Sequence, residues 1–188
     1  MHKWILCAAL AATAGTALAT AVPAGTQLNG TASGAASALL GLDSGFADVP
    51  GSGLTTLTDT DLEYLSNDFA VGIDFLSDGR VVFYDNTGLG QLAGSYTFSF
   101  ELLDLPGLVV GFDLADLAGI TGGSIATQLV DGQRFSITLS DVGFAEAFGT
   151  FSAQLTTVPE PSTAALLGLA LAALALTWTS RHTRRHGG

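Results

Sequence analysis

In the stretch GSYTFSFEL, Tyr96, Phe98, Phe100 and Leu102 alternate without a break with Ser95, Thr97, Ser99 and Glu101. A period of two puts every apolar side chain on one face of an extended strand and every polar one on the other, a pattern no helix can present. A face that rich in aromatics must be covered, so the chain needs a second layer of structure. GTFSAQL repeats the device, with Phe151, Ala153 and Leu155 set against Thr150, Ser152 and Gln154.

Two longer stretches read as hairpins. In AVGIDFLSDGRVVFYDN a two-residue Asp78-Gly79 turn predicts Phe75 opposite Val82 and Ile73 opposite Tyr84. In SIATQLVDGQRFSITLS parity decides the loop length. A two-residue turn sets Leu129 against Arg134, whereas a three-residue Asp131-Gly132-Gln133 loop sets Leu129 against Phe135 and Ile125 against Leu139, so the longer loop is chosen.

Helix signals are weaker. TDTDLEYLSND offers a short helix capped by Thr58 or Thr60, and FDLADLAGITGG offers one turn ending at Gly119. The Gly, Ala and Ser between Gly25 and Gly53 read as loose chain or an early edge strand. No internal repeat of fixed period is present, and twenty-four glycines spread among short strands suit a sandwich better than a solenoid. The expectation is a mainly β protein: a small antiparallel β-sandwich, jelly-roll-like, with an irregular β-meander packed on a helix as the alternative.

Both ends of the chain have a different character. MHKWILCAALAATAGTALATA has a basic start at Lys3, an apolar stretch from Trp4 to about Ala14, and Ala17 and Ala19 in the A-x-A arrangement accepted by signal peptidase. It reads as a secretory signal over residues 1–19, cut after Ala19, with Ala21 as second choice and an uncleaved anchor as the alternative. Cys7 falls inside the apolar stretch and is removed with it. At the other end, Ser162 to Thr179 is eighteen residues without a charge. As a helix it is about 27 Å long, close to the roughly 30 Å of a bilayer core. Trp178 suits the interface, and Arg181, Arg184 and Arg185 place this end in the cytoplasm by the positive-inside rule. A buried core helix is the alternative. Pro159 and Pro161 make Val158 to Pro161 a stiff extended stalk outside the membrane.

The tail, residues 158–188, resembles that of the PEP-CTERM proteins of bacteria. Val158-Pro159-Glu160-Pro161-Ser162 matches their signature, followed in order by the apolar span at 162–179 and the basic end at 180–188. The resemblance implies recognition by an exosortase, a membrane protease-transpeptidase, with removal of the tail during sorting to the cell surface or extracellular polymer of a Gram-negative bacterium. It covers about thirty of the 188 residues and describes the protein's route rather than the task of residues 20–157.

Composition narrows that task. Between Thr20 and Pro161 seventeen acidic residues face two arginines, Arg80 and Arg134, a balance of −15. Such a surface repels nucleic acid and anionic lipid; solubility outside the cell is the simpler reading of it, and attraction of divalent cations the alternative. The three histidines, His2, His182 and His186, the only Cys and the only Lys all lie outside this region. That excludes a Ser-His-Asp triad, a thiol nucleophile, a Schiff-base lysine, an imidazole or thiolate zinc site, and any disulfide. Paired carboxylates for a glycoside hydrolase remain, but the acids are scattered through turn-like segments and no pair is singled out by an apolar setting that would raise a pKa.

Two short patterns have specific readings. Asp59, Asp61 and Glu63 alternate like the start of an EF-hand loop, but Tyr64 stands where Gly is needed and Ala70 where the bidentate Glu belongs. They are a weak Ca²⁺ candidate beside the simpler reading of an exposed acidic turn. Asn29-Gly30-Thr31 matches a glycosylation sequon and carries little weight. The expected protein is a non-enzymatic surface or matrix protein without a cofactor. A Ca²⁺-assisted adhesin or carbohydrate-binding module, with Phe46, Phe144 or Phe148 as stacking residues, is the alternative, and a carboxylate glycosidase a second one. Its processing partners are the exosortase and signal peptidase, with extracellular polysaccharide as a further partner.

Overall fold

A computed structural model describes residues 22–159, so the signal segment and everything from Glu160 onward lie outside the described residues. Eleven strands occur in the order β1 (Gln27–Gly34), β2 (Leu39–Gly41), β3 (Leu54–Thr56), β4 (Tyr64–Ser66), β5 (Val71–Phe75), β6 (Arg80–Asp85), β7 (Gln91–Leu102), β8 (Gly107–Asp116), β9 (Ile120–Leu129), β10 (Arg134–Phe144) and β11 (Thr150–Pro159). They form two antiparallel sheets, β3-β1-β7-β10-β9 and β2-β4-β5-β6-β11-β8, and most connections cross from one sheet to the other. The protein is mainly β, as the alternation requires.

The two sheets share one core, and aromatic rings join them. Phe100 on β7 and Phe135 on β10 come from the first sheet; Tyr64, Phe75 and Phe112 come from the second. Phe100 meets Phe75 at a centroid distance of 5.1 Å and Tyr64 at 5.9 Å, while Phe135 meets Phe112 at 4.6 Å. Within the first sheet Phe100 and Phe135 lie 5.5 Å apart and are directly opposite in the ladder. Tyr64 carries a hydroxyl into this core, where it donates to the Gly53 carbonyl at 3.0 Å, so the buried polar group is satisfied.

The β9–β10 hairpin has the expected three-residue loop: Leu129 pairs with Phe135 and Ile125 with Leu139. The β5–β6 hairpin differs by one residue. Phe75 pairs with Val81 and Ile73 with Phe83, because the loop is Ser77-Asp78-Gly79, closed by Leu76 N–H to the Arg80 carbonyl at 2.9 Å. Gly79 sits at φ 87°, where a Cβ is disfavoured. This register buries Val81 and Phe83 completely and turns Tyr84 outward.

Other expectations are also corrected. Neither suggested helix forms: residues 58–63 are a bend leading into β4, and Phe112 to Asp116 is strand, with only a turn at 117–119. Among the described residues the helical element is one 3-10 turn, Leu42–Ser44. Of the two readings of Gly25 to Gly53, loose chain or an early edge strand, the strand holds: β2 is the edge of the second sheet, while β1 lies inside the first, paired with both β3 and β7. The rigid stalk does not begin at Val158, because Val158 and Pro159 are the last residues of β11, paired with Leu108 and Gly107 of β8.

Because the core is held without a disulfide, removing its central ring should cost heavily. Phe100→Ala is expected to lower unfolding free energy by about 3 to 5 kcal/mol, read as a shift of the denaturant midpoint. An equal shift for Phe148→Ala, an exposed ring, would contradict this account of the core.

Candidate functional site

Two places have the makings of a site: the end of β11, where the sorting motif begins, and a cleft on the outer face of the second sheet.

At the first, Thr157 is buried, Val158 half-buried and Pro159 exposed. The β6 partner of β11 stops at Gln154, so near Pro159 only β8 flanks the strand. A proline, lacking an N–H, is tolerated at such a strand end. Gly107 must be glycine here, since a Cβ would stand 2.5 Å from the Val158 carbonyl oxygen. The remaining motif residues, Glu160, Pro161 and Ser162, lie outside the described residues, as do Arg181, Arg184, Arg185, Ala17 and Ala19. Among the described residues no helix is long and apolar enough to cross a membrane.

The acidic trio does not converge. Asp59 accepts the Ser77 N–H at 2.8 Å and Asp61 accepts the Thr60 hydroxyl at 2.9 Å. Glu63 turns inward and is completely buried. Among the described residues no group of three or more His, Cys, Asp or Glu side chains is placed to hold a metal ion.

Glu63 has another task. The ladder between β4 and β5 is short, pairing Tyr64 with Ile73 and Leu65 with Gly72. Beyond it, the Glu63 carboxylate serves as the acceptor: it takes the Phe75 N–H at 2.6 Å, the Thr58 N–H at 2.7 Å and the Thr58 hydroxyl at 3.1 Å. Burial raises its pKa to about 7; these backbone N–H groups oppose the rise and the neighbouring Asp74 charge adds to it. Asp74 is also raised, first by burial, with the Tyr84 hydroxyl, 3.3 Å from Oδ2, and Glu63 both acting to lower it. Asp74 Oδ1 is buried without a hydrogen-bond partner. The two neighbouring carboxyls therefore influence one another's protonation, Asp74 raising the pKa of Glu63 and Glu63 lowering that of Asp74.

Asp74 also lines the cleft, of about 330 Å³, with Leu62, Gly72, Tyr84, Asp85, Asn86 and Phe148. Gly72 leaves a gap in the sheet face between Leu62 and Tyr84. Phe148 is 66% exposed at φ 59°, and its ring packs over Gly88. The neighbouring Phe69 is 54% exposed, also at φ 59°, and its carbonyl accepts from Asn86 Nδ2 at 2.8 Å. Left-handed backbone at a bulky residue is costly, by about 1 to 3 kcal/mol. Asp85 holds the loop that supports Phe148, accepting from the Thr87 and Gly90 N–H groups at 3.0 and 2.8 Å. Of the three aromatic candidates from the sequence, Phe148 is presented at this cleft, Phe144 is buried and Phe46 is half-buried.

Strand β11 runs to Pro159, the first proline of the Pro159-Glu160-Pro161 segment, with no intervening loop. Residues 157–181 match the PEP-CTERM protein-sorting motif, so the chain carries that motif. The motif implies export, processing by an exosortase and sorting to the cell envelope or extracellular space of a bacterium. Neither a curated protein nor a solved structure matches the chain.

The buried carboxyl pair sets a pH dependence of known sign. Glu63 holds its proton more tightly in the folded state than in the unfolded one, so its contribution is complete below its ordinary pKa of 4.5 and is lost as pH rises to about 7. The loss is of order 3 kcal/mol. Glu63→Gln keeps the size and an acceptor but cannot ionise, so the fall in denaturant midpoint between about pH 5 and pH 8 should be markedly shallower than in the wild type. Equal slopes for the two proteins would remove Glu63 from the account.

Proposed function

We propose that the protein is a non-enzymatic surface or matrix protein whose domain, residues 20–157 with the strand end at Val158 and Pro159, is a β-sandwich displayed through its sorting tail. Signal peptidase cuts after Ala19, residues 162–179 span the membrane, and Arg181, Arg184 and Arg185 hold the cytoplasmic end until an exosortase removes the tail. The matched motif at residues 157–181 carries this reading. A non-enzymatic domain is supported by the absence of His, Cys and Lys between Thr20 and Pro161. It is supported further by the engagement of both Glu63 oxygens with backbone N–H groups, which leaves that acid no free edge for a substrate.

The test should spare the fold. Because Pro159 belongs to β11, the informative variant is Glu160→Ala with Pro161→Ala, which leaves the β8–β11 pairing intact. It should be exported but remain uncleaved in the membrane fraction. Processing and release at the wild-type rate would refute sorting through this motif.

A second reading, carbohydrate binding without Ca²⁺, is favoured by the cleft beside Phe148. Sugar rings pair an apolar face with polar edges, as this cleft does with Phe148 and Leu62 beside Asp74, Tyr84 and Asn86. Retention on polysaccharide from the producing cell should fall about tenfold in Phe148→Ala, equivalent to about 1.4 kcal/mol, and should not respond to chelator. Undiminished retention in that variant would leave the passive matrix role alone.

A further inference from the structure

We propose that one end of the domain, formed by Leu103, Leu108 and Val130 around the exit of β11, rests on the lipid surface while the tail is intact. This rests on the reading of residues 162–179 as a membrane span, and it adds the face the domain turns to that membrane.

The first argument is length. β11 remains in the sheet to Pro159, opposite Gly107. From Pro159 to Ser162 there are three peptide steps, which reach at most about 10 Å when fully extended. The headgroup layer of one leaflet occupies about 5 to 7 Å of that. The remaining slack is about one residue, so the end of the domain cannot stand clear of the bilayer.

The second argument is what lies at that end. The pairing of β11 with β6 stops at Gln154, five residues before Pro159, so the β8–β11 pair overhangs the β5–β6 hairpin. The β9–β10 turn reaches the same level, since the Val109 N–H donates to the Gly132 carbonyl at 2.7 Å and Leu108 packs against Gly132. The segment after β7 joins them through Leu102 N–H to the Gln133 carbonyl at 3.0 Å. Around this tip Leu103 and Leu108 are each 40% exposed and Val130 is 53% exposed. These side chains have no polar function to be exposed for, and a neighbouring apolar phase is the medium they suit.

Charge is compatible with this contact. In the turn, Arg134 is paired with Asp131 at 2.6 Å, and other charges near this end, Asp104, Asp59 bonded to the Ser77 N–H, and the Arg80–Asp78 pair in the β5–β6 loop, are mostly acidic and would be repelled by anionic lipid. The contact is therefore apolar rather than electrostatic, and its partner is the uncharged headgroup and upper acyl region of the bilayer, not an anionic patch.

The experiment uses the full chain with its tail uncleaved, taken from cells without exosortase activity and reconstituted in phosphatidylcholine vesicles containing a chain-labelled quencher lipid. In a Cys7→Ser background, single cysteines carrying an environment-sensitive fluorophore are placed at position 103, 130, 89 or 169. Leu89, 82% exposed on the loop that follows β6, is at the opposite end of the domain, and Leu169 lies within the proposed span. Quenching at 169, 103 and 130 with none at 89 is the expected result. Quenching at 169 with 103 and 130 as unquenched as 89 overturns the resting face but leaves the anchor. Absence of quenching at 169 overturns the anchor and the face with it. Circular dichroism of each labelled protein verifies the fold, and the use of two exposed tip positions guards against a local effect of either label.

Discussion

Everything in this molecule depends on rings from one sheet packing between rings from the other. Phe100 and Phe135, neighbours on adjacent strands, are met from the opposite sheet by Tyr64, Phe75 and Phe112. With no cysteine between Thr20 and Pro161, this burial has to overcome both chain entropy and the mutual repulsion of seventeen carboxylates. The strands bearing these rings are also those whose ends position the cleft and the tail. Phe75 terminates β5 at the Glu63 carboxylate, and Phe112 lies on β8, the sole neighbour of Pro159.

Legibility in the sequence followed how uniquely a pattern assigns faces. Along Arg134 to Ser140 polar and apolar residues alternate strictly, so only one parity buries Phe135, Ile137 and Leu139, and the loop length could be inferred correctly. Arg80 to Asp85 contains Val81, Val82, Phe83 and Tyr84 in succession, and either parity puts apolar atoms inside. The choice falls to the Tyr84 hydroxyl, which finds Asp74 on the outer face, a contact made only after folding. The Thr58 capping signal was real: its hydroxyl accepts the Asp61 N–H at 3.2 Å and its own N–H reaches Glu63. No helix propagates, because Tyr64 to Ser66 is claimed by β2 and β5.

The candidate sites were unevenly legible. Five consecutive residues revealed the sorting motif, because its recognition depends on order along the chain. The cleft gave no such notice. Glu63 reads as one more solvated acid between Leu62 and Tyr64, yet the fold buries it as an acceptor for the Thr58 and Phe75 N–H groups, beside a second carboxyl, Asp74. Phe148 stood out in the sequence only as one of three loop-like phenylalanines, and Phe69 did not stand out at all. What distinguishes them is a left-handed backbone paired with exposure, and neither is encoded locally.

The pairing of β11 up to Pro159 also has a mechanical meaning. Any tension transmitted from a tail held at the membrane enters the domain along the axis of β11, while the bonds to β8 and β6 run across it. Force in that direction loads the ladder in shear, so its bonds share the load rather than opening singly from one end. A pull on Pro159 would therefore meet the combined resistance of the β8–β11 ladder rather than of one bond at a time.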